Sequence, residues 1–438
     1  MLRVVVLLGV CTISGGALRV PPPSAATTKP LKAAIIGGGL GGLTAAIALR
    51  KVGIDAHVYE RRSEIKGTVG TGLTMWPNGL SALEAIDPGL APLIVKAGAS
   101  TKLIEVTTAD GQTKLPNPTG DPTRFPAMYG QPMLNIHWAR LQQCLASRLP
   151  AECLHLDCSF AGLESASGGG GGVTLEFARA SGEALDPVTA DFAVGADGIN
   201  SVVRGLLVDD GPPRDAGRTI WRSIIPFEDV DEELLPRGGC SMSAGAGKVG
   251  FLTDLGAAGL YWSAFATDEA LAASGVNRDA TDDIQHYLLE EFGGVYKVAQ
   301  AIKSTPPSMI LERRVADRVP LVDDDGRAAI PWRGLPVTLL GDAFHAMIPS
   351  LGQGANSSFE GAYRLAAALA GASEGGMGVE EALRAYESAQ MERVHWIVER
   401  SAAQGKMVYE DRDEFMRKQQ EAQDEMWGVT FEPLGVAA

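Results

Sequence analysis

Three glycines, Gly37, Gly39 and Gly42, sit in the run Gly37-Gly38-Gly39-Leu40-Gly41-Gly42. Such spacing does its chemistry through the backbone. The first glycine permits a tight turn, the second lets a pyrophosphate approach the main chain, and the third lets helix and strand pack closely. The helix that follows offers free N–H groups and the positive end of its dipole to a phosphate. Glu60 follows Gly37 by 23 residues, at the end of the next strand, where a carboxylate accepts hydrogen bonds from ribose hydroxyls. Arg61, next to it, is assigned to the cofactor as well. Taken alone, this fingerprint says only that a dinucleotide binds.

Two distant segments narrow the reading. Gly195-Ala196-Asp197-Gly198 runs on to Ser201 and Arg204. By itself it reads as a structural turn, with Asp197 bonding its own backbone and Gly198 free to take positive φ. Gly341-Asp342-Ala343-Phe344-His345 continues through Pro349 to Gly352-Gln353-Gly354-Ala355-Asn356. Here a strand again ends on glycine and acid, and the Asp342 carboxylate suits the hydroxyls of a ribityl chain. Pro349 rigidifies the loop. Gly352 and Gly354 open a helix, so the N–H groups around Ala355 and Asn356 face an electron-rich flavin edge. In order along one chain, the three segments indicate FAD. His345 reads either as a general base or as a histidine that fixes the loop. The second is preferred, because flavin oxygenation needs no protein nucleophile.

The elements that must position these residues follow from local pattern. Lys32 to Ile36 reads as a buried strand, Leu43 to Val52 as a helix and Ala56 to Tyr59 as a second strand, a βαβ unit of about 30 residues. Ser81 to Ala97 reads as helical, broken at Pro88 and Pro92. Met133 to Leu149 starts extended and becomes a helix near Ala139. Val173 to Phe177 and Ala190 to Val194 are expected strands, with the glycine run 168–172 as a hairpin tip. Between the second and third segments come short β-like stretches at Thr219 to Pro226, Gly247 to Thr253 and Leu260 to Ala266, then a helical stretch from Asp282 to Ile302. Val337 to Leu340 reads as a strand and Ser357 to Ala370 as a helix. A long charged helix is expected from Val379 to about Gln423.

The expected fold is α/β. It has a discontinuous Rossmann-like FAD-binding domain (31–105, 130–215 and 318–375), an inserted antiparallel-sheet substrate domain (106–129 and 216–317) and a C-terminal helical segment (376–438).

The 438 residues are 45% hydrophobic and 21% charged, with a net charge of −15. An acidic surface argues against nucleic acid or an anionic membrane as partner. Arg3, the apolar run Val4 to Ile13 and the small residues Ser14 to Ala17 read as a signal sequence, too short to span a bilayer. Leu18 to Lys32 carries no acid. A presequence over 1–30 is therefore expected, plastid-directed slightly ahead of secretory, with no transmembrane span in the mature chain. The five cysteines include no C-x-x-C pair, which argues against a zinc site or a disulfide framework, and no metal is expected.

With these motifs in place, the chain resembles the single-component FAD-dependent aromatic hydroxylases, the flavoprotein monooxygenases that include salicylate hydroxylase, kynurenine 3-monooxygenase and zeaxanthin epoxidase. The resemblance covers about residues 33–400. It extends to Trp76-Pro77-Asn78-Gly79, Trp221-Arg222, Asp317-Arg318-Val319-Pro320, Tyr386-Glu387 and Arg393. It implies bound FAD, NAD(P)H as a transient co-substrate without a second fingerprint, and O2 as oxidant. A flavin C4a-hydroperoxide would then oxygenate a small aromatic or alkene substrate. The pocket is expected between the third segment and the substrate sheet, near Trp221, Arg222, Phe251, Tyr261 and Trp262. Arg222 would bind a substrate carboxylate, the alternative being an ion pair or structural cap. A flavin reductase or dehydrogenase, or a flavin-binding protein without turnover, are the competing readings.

Three positions depart from the family pattern. The flavin-contacting Arg of the middle helix is Trp138 here, so either Arg140 substitutes or the contact differs. Glu-Asp after the flavin loop is Glu360-Gly361, and an Arg of the late helix is Gln390.

Overall fold

The computed structural model describes residues 30–65, 71–117, 119–166, 171–230, 233–278, 282–323, 325, 327, 330, 334–373, 376–403 and 421–435. Apart from Pro30, the expected presequence lies outside them.

A five-stranded parallel sheet runs, edge to edge, Val337–Leu339, Phe192–Gly195, Lys32–Ile36, Asp55–Glu60, Leu154–Leu156. Its central strands are almost wholly buried, which is why they read as unbroken apolar runs. The first strand in sequence lies in the middle, so the chain reverses its strand order beside it. Ligands of open parallel sheets bind at that reversal, beyond the carboxyl ends of the strands. Gly37, Glu60, Gly195-Ala196-Asp197 and Gly341-Asp342 each follow or end one of these strands. Parallel topology alone therefore gathers the three motifs at one end of one sheet. A meander of Ser159–Ser165, Val173–Ala178 and Val188–Ala190 packs against the sheet, with Phe177 stacked on Tyr59 at 4.5 Å. Of the expected glycine tip, only Gly171 and Gly172 are described, and Ala166 N–H donates to Gly172 O across the hairpin.

The second large sheet has six strands in the order Leu311–Asp317, Arg214–Ile225, Leu260–Thr267, Lys248–Asp254, Gly239–Gly245, Leu103–Thr108. Its pairings are antiparallel except the last, where Leu103–Thr108 runs parallel to Gly239–Gly245. This strand starts three residues before the boundary expected at 106, because Leu103 pairs with Gly239. One face of the sheet is buried by helices Ile284–Phe292 and Val298–Lys303, around Trp221, Leu252, Trp262 and Phe292. On the other face Ile220 and Val315 meet Ile348 of the flavin loop.

Two helical expectations change. The break falls at Asp87-Pro88-Gly89, whereas Pro92 lies inside helix Leu90–Ala97. A first-turn proline loses no intrahelical hydrogen bond, so it is tolerated there. The long late helix spans Val379–Ala403, and 421–427 form a separate helical turn region, with 404–420 outside the described residues. No helix among the described residues is long and apolar enough to cross a membrane.

Candidate active site

The glycine loop shows the turn and the close packing expected of its first and third glycines. Gly37 takes φ +110°, and a β-carbon there would lie 2.4 Å from Ala196 O. A β-carbon on Gly42 would lie 2.0 Å from Gly37 O, so the third glycine is where helix Leu40–Lys51 crosses the strand turn. At Gly39 nothing lies within 4 Å. Gly39 is also the N-cap, and it offers no side-chain acceptor to the first-turn N–H groups. Open space beside unpaired donors at a helix N-terminus fits a pyrophosphate.

Glu60 sits at the rim of this loop. Its Oε2 accepts from Gly38 N–H at 2.7 Å and its Oε1 from Arg62 N–H at 3.1 Å. Each oxygen keeps a lone pair for a ribose hydroxyl. Arg61 is exposed beside it. On the far side the buried Gln142 donates to Gly38 O at 2.7 Å. Sequence reasoning missed Gln142, since a polar residue in an amphipathic helix gives no sign of a partner 104 positions away. Arg140 does not join this group. It is exposed, about 200° around the helix from Gln142. Burial and then the Arg140 charge hold His137 below the usual histidine range, which places Arg140 on the His137 side. Trp138 packs half-buried against the main core.

Asp197 acts on its own turn. It accepts from Ser201 Oγ at 2.5 Å, Val202 N–H at 2.7 Å and Val203 N–H at 3.3 Å, capping the short helix Val202–Leu207. Its carboxylate thus shapes a turn at the cleft, the structural reading the segment has by itself, while Oδ1 keeps a lone pair. The motif's reach toward the flavin loop comes from Arg204, which is fully buried and donates to Ala343 O at 3.2 Å and Phe344 O at 2.9 Å. Asp210 bridges Arg204 to Arg318, and Arg318 donates to Ile199 O at 3.0 Å. Burial pushes the Asp210 carboxyl up, but Arg204 and Arg318 outweigh it and hold the group below the usual carboxylate range. The second motif, the Asp317-Arg318 segment and the third motif are thus one hydrogen-bonded unit.

In the third motif Asp342 stands out. It reaches solvent-accessible space but is hemmed in by protein, and that desolvation raises its carboxyl. A β-carbon on Gly354 would lie 3.8 Å from its Oδ1. A recessed carboxylate facing the start of helix Gly354–Ser373 suits a ribityl hydroxyl and a flavin edge. Gly341 and Gly352 take φ of +63° and +62°, conformations that glycine adopts without steric cost. Pro349 opens the turn Pro349–Leu351 that Gly352 closes, with Gly352 N–H donating to Pro349 O at 3.0 Å. Its place is structural rather than catalytic, because a proline ring moves no proton. Ala355 follows half-buried.

Asn356 receives a correction, and His345 takes the loop-fixing place preferred for it. Asn356 accepts from Trp76 N–H at 3.0 Å and donates to Thr74 O at 3.1 Å and Gly352 O at 2.9 Å. These bonds tie the flavin loop to the Trp76-Pro77-Asn78-Gly79 turn and leave its amide group little to offer a cofactor. Asn78 repeats the tie by donating to Gln353 at 2.9 Å and Glu360 at 2.6 Å. Glu360 is fully buried between Arg364 at 3.0 Å and Arg393 at 2.8 Å. His345 is also buried, and its Nε2 lies 3.3 Å from the Gln390 amide nitrogen. Burial lowers its pKa to about 4. A neutral imidazole facing the protein interior fixes the loop and is no general base.

The sheet face toward the flavin loop divides the expected substrate residues. Arg222, Phe251, Tyr261 and Ser263 share the face of Ile220, which packs on Ile348. Gly72 lies against the Tyr261 ring, where a β-carbon would come within 2.8 Å. Trp221 and Trp262 point the other way, into the helix-covered core, and Trp262 Nε1–H donates to Thr305 at 2.8 Å. They are corrected to core residues. Arg222 is half-buried, its Nε has no partner, and its neighbours are the Tyr261 hydroxyl and the Arg313 charge. Burial lowers its pKa, the first of those effects.

Comparison with known proteins agrees with this geometry. The family model described as an FAD binding domain matches residues 31–212 and 298–401. The chain is 31% identical over 409 residues to 3-amino-4-hydroxybenzoate 2-monooxygenase of Streptomyces cremeus, covering 91% of this chain and 95% of that protein. It is 31% identical to the aurachin C monooxygenase/isomerase of Stigmatella aurantiaca, over 82% of this chain and 85% of that one. Against the chloroplastic zeaxanthin epoxidase of Solanum lycopersicum it is 32% identical over 87% of its own length, and it spans about half of the epoxidase, 54%. Among solved structures, Klebsiella pneumoniae HpxO complexed with FAD and uric acid superposes with a TM-score of 0.72 at 24% identity, covering 91% of this chain and 93% of that one. A salicylate hydroxylase substrate complex gives a TM-score of 0.68 at 22% identity over 91% and 96%. The open space at Gly39 and the Asp342 carboxylate, without a hydrogen bond among the described contacts, have the chemistry that FAD would need there.

Proposed function

Because this chain belongs to the FAD-dependent monooxygenases, we propose that it uses NAD(P)H and O2 to oxygenate a small electron-rich ring bearing an anionic or strongly accepting group. Arg222 carries the finer part of this reading. A half-buried guanidinium with a free Nε, on the face turned to the flavin loop, has the Tyr261 hydroxyl beside it but no carboxylate partner among the described residues, so its charge is costly to desolvate. A substrate carboxylate or enolate offsets that cost and is oriented by it.

Bound FAD supplies the electron transfer and oxygen activation. The chain's residues do the rest. The Gly37–Gly42 loop holds the pyrophosphate, Glu60 the ribose and Asp342 the ribityl hydroxyls. The N-terminus of helix Gly354–Ser373 stabilises negative charge on the flavin edge. Phe251 and Tyr261 pack against the substrate ring and keep water out, while Arg222 sets its orientation.

The test uses FAD-loaded protein from residue 31 onward with NADPH or NADH in air. Salicylate and 3-amino-4-hydroxybenzoate are compared with their methyl esters. The acids are expected to accelerate nucleotide oxidation more than the esters, and Arg222→Ala to raise KM about 10- to 100-fold, as for loss of a charged hydrogen bond. Equal response to acid and ester would sink the role of Arg222. It would favour the second reading, an apolar alkene substrate, for which the epoxidase relatives speak.

We propose too that residues 1–30 form a targeting presequence, plastid-directed ahead of secretory, on the strength of Arg3, the apolar run and the acid-free stretch to Lys32. Diffuse cytosolic fluorescence from a fusion of residues 1–40 would overturn this.

A further inference from the structure

The segment 421–435 returns from the late helix to the mouth of the site. Tyr129 OH donates to Asp424 at 2.6 Å. Arg393 donates to the carbonyls of Glu425 at 3.1 Å and Met426 at 2.6 Å while it pairs with Glu360 on the flavin-loop helix. Tyr363 OH donates to Glu432 O at 2.7 Å, and Leu434 N–H to Ala85 O at 2.9 Å.

What this docking presents is Trp427, which is 4% exposed. Its ring stacks on Trp76 with centroids 4.5 Å apart and an interplanar angle of 11°, and it meets Phe125 and Tyr129 at 5.1 and 5.8 Å. Trp76 in turn abuts the flavin loop. A β-carbon on Gly352 would lie 2.9 Å from its Nε1. Ile104, on the same sheet face as Tyr261, and Leu351 of the flavin loop complete the cluster. The cluster therefore spans the gap between flavin loop and substrate sheet at one end. Both indole Nε1–H groups of the stacked pair are buried without an acceptor. Indole donors in native interiors usually find one; Trp221 is a further orphan in the helix-covered core, and what sets this pair apart is its place between flavin loop and substrate sheet.

We propose that Trp427, carried by the C-terminal segment, is the end wall of the substrate site and a specificity-determining residue, stacked on Trp76 so that the pair supplies an aromatic face and N–H donors to an oxygen-bearing aromatic substrate. This rests on the monooxygenase reading above. The flavin itself is held by other residues, which gives the test its contrast.

The experiment compares FAD-loaded wild type, Trp427→Ala, Trp427→Phe and the milder Asp424→Asn. Three quantities are read: the Kd of FAD, the Kd of salicylate and of 3-amino-4-hydroxybenzoate from the flavin absorbance shift, and iodide quenching of bound-flavin fluorescence. Trp427→Ala is expected to leave the FAD Kd within about threefold but to weaken probe binding by at least about tenfold, the range for losing a well-packed contact in a specificity pocket. Iodide quenching is expected to rise. Trp427→Phe recovers the quenching protection, since the ring remains, but not all of the probe affinity. Unchanged probe binding and unchanged quenching in Trp427→Ala would overturn the proposal, as would parallel loss of FAD and probe. If no probe shifts the wild-type spectrum, the substrate reading fails. The quenching comparison then still decides whether Trp427 walls the site, and Asp424→Asn decides it if Trp427→Ala does not fold.

Discussion

Gly361 lies against the side-chain amide of Gln390, and a β-carbon at position 361 would come within 3.1 Å of Gln390 Nε2. That amide nitrogen donates to Ser357 O at 3.0 Å and faces His345, while its oxygen accepts from Arg364 at 2.9 Å. The Gly361 and Gln390 departures from the family's Asp and Arg are therefore one feature, seen from two helices. Gly361→Asp alone is expected to destabilise by about 1–3 kcal/mol through overpacking and a buried unpaired charge. Gln390→Arg alone should cost a similar amount. The double variant should recover much of the loss, and a double-mutant cycle by urea denaturation measures the coupling. Additive costs would mean that the two positions do not communicate.

Asp342 has a raised carboxyl and no protein hydrogen bond among the described contacts. Asp342→Asn is thus expected to leave the stability of the flavin-free protein unchanged or slightly higher. FAD affinity should fall by about 10- to 100-fold, the worth of hydrogen bonds to a charged acceptor. Fluorescence titration of the free protein with FAD checks this, and an unchanged Kd would remove Asp342 from the cofactor site.

Glu60 makes the opposite contrast. Its two backbone bonds, to Gly38 and Arg62, brace the glycine loop. Glu60→Ala is expected to weaken FAD binding and also to cost the free protein about 0.5–2 kcal/mol, the range for lost caps and turn bonds. Equal thermal midpoints for Glu60→Ala and wild type without FAD would show that the loop holds its shape unaided.

His345 sets a pH dependence. In the fold it stays neutral down to about pH 4, against 6.5 for the ordinary group. Between those values the unfolded chain takes up a proton that the folded chain refuses, so stability falls as pH drops through the window. From pH 7 to 5 the loss attributable to His345 is about 2 kcal/mol. Glu387 opposes it. Burial pushes its carboxyl to about 8, though Thr338 and Arg384 pull it down. The fold therefore gains stability from Glu387 as pH falls from about 8 toward 4.5. Comparing wild type with His345→Asn at both pH values cancels the Glu387 contribution. A wild type no more pH-sensitive than the variant would show that His345 titrates normally.

The cofactor cleft was legible because its signals are short-range. A glycine that must turn, a glycine that must be bare and an acid at a strand end each declare their role within a few residues. The sheet topology then converts three separate strand ends into one site. What stayed hidden depends on partners far along the chain. Gln142 reads as an ordinary helix residue until Gly38 is beside it. Asn356 looks like a cofactor donor until Trp76 and Thr74 consume its amide. Trp221 and Arg222 are neighbours in sequence, but alternation sends one into the helix-covered core and the other toward the flavin loop. Alternation cannot be assigned a direction when both faces of a sheet are covered. The strand Leu103–Thr108 was missed for the same reason, as its partner Gly239–Gly245 lies more than a hundred residues on.

The central strand Lys32–Ile36 and its glycine loop are made early, yet the outer strand Val337–Leu339 and the helix beginning at Gly354 come late. At about 5–20 residues per second on the ribosome, roughly 15 to 60 s separate the synthesis of Gly37 from that of Gly354. During that interval Phe192–Gly195 lacks its outer partner, with the substrate sheet emerging in between. The three motif segments are therefore all present only once Gly354 has been made, late in synthesis. A cofactor bound there would clasp segments made far apart in time, and its supply is expected to raise the amount of folded protein.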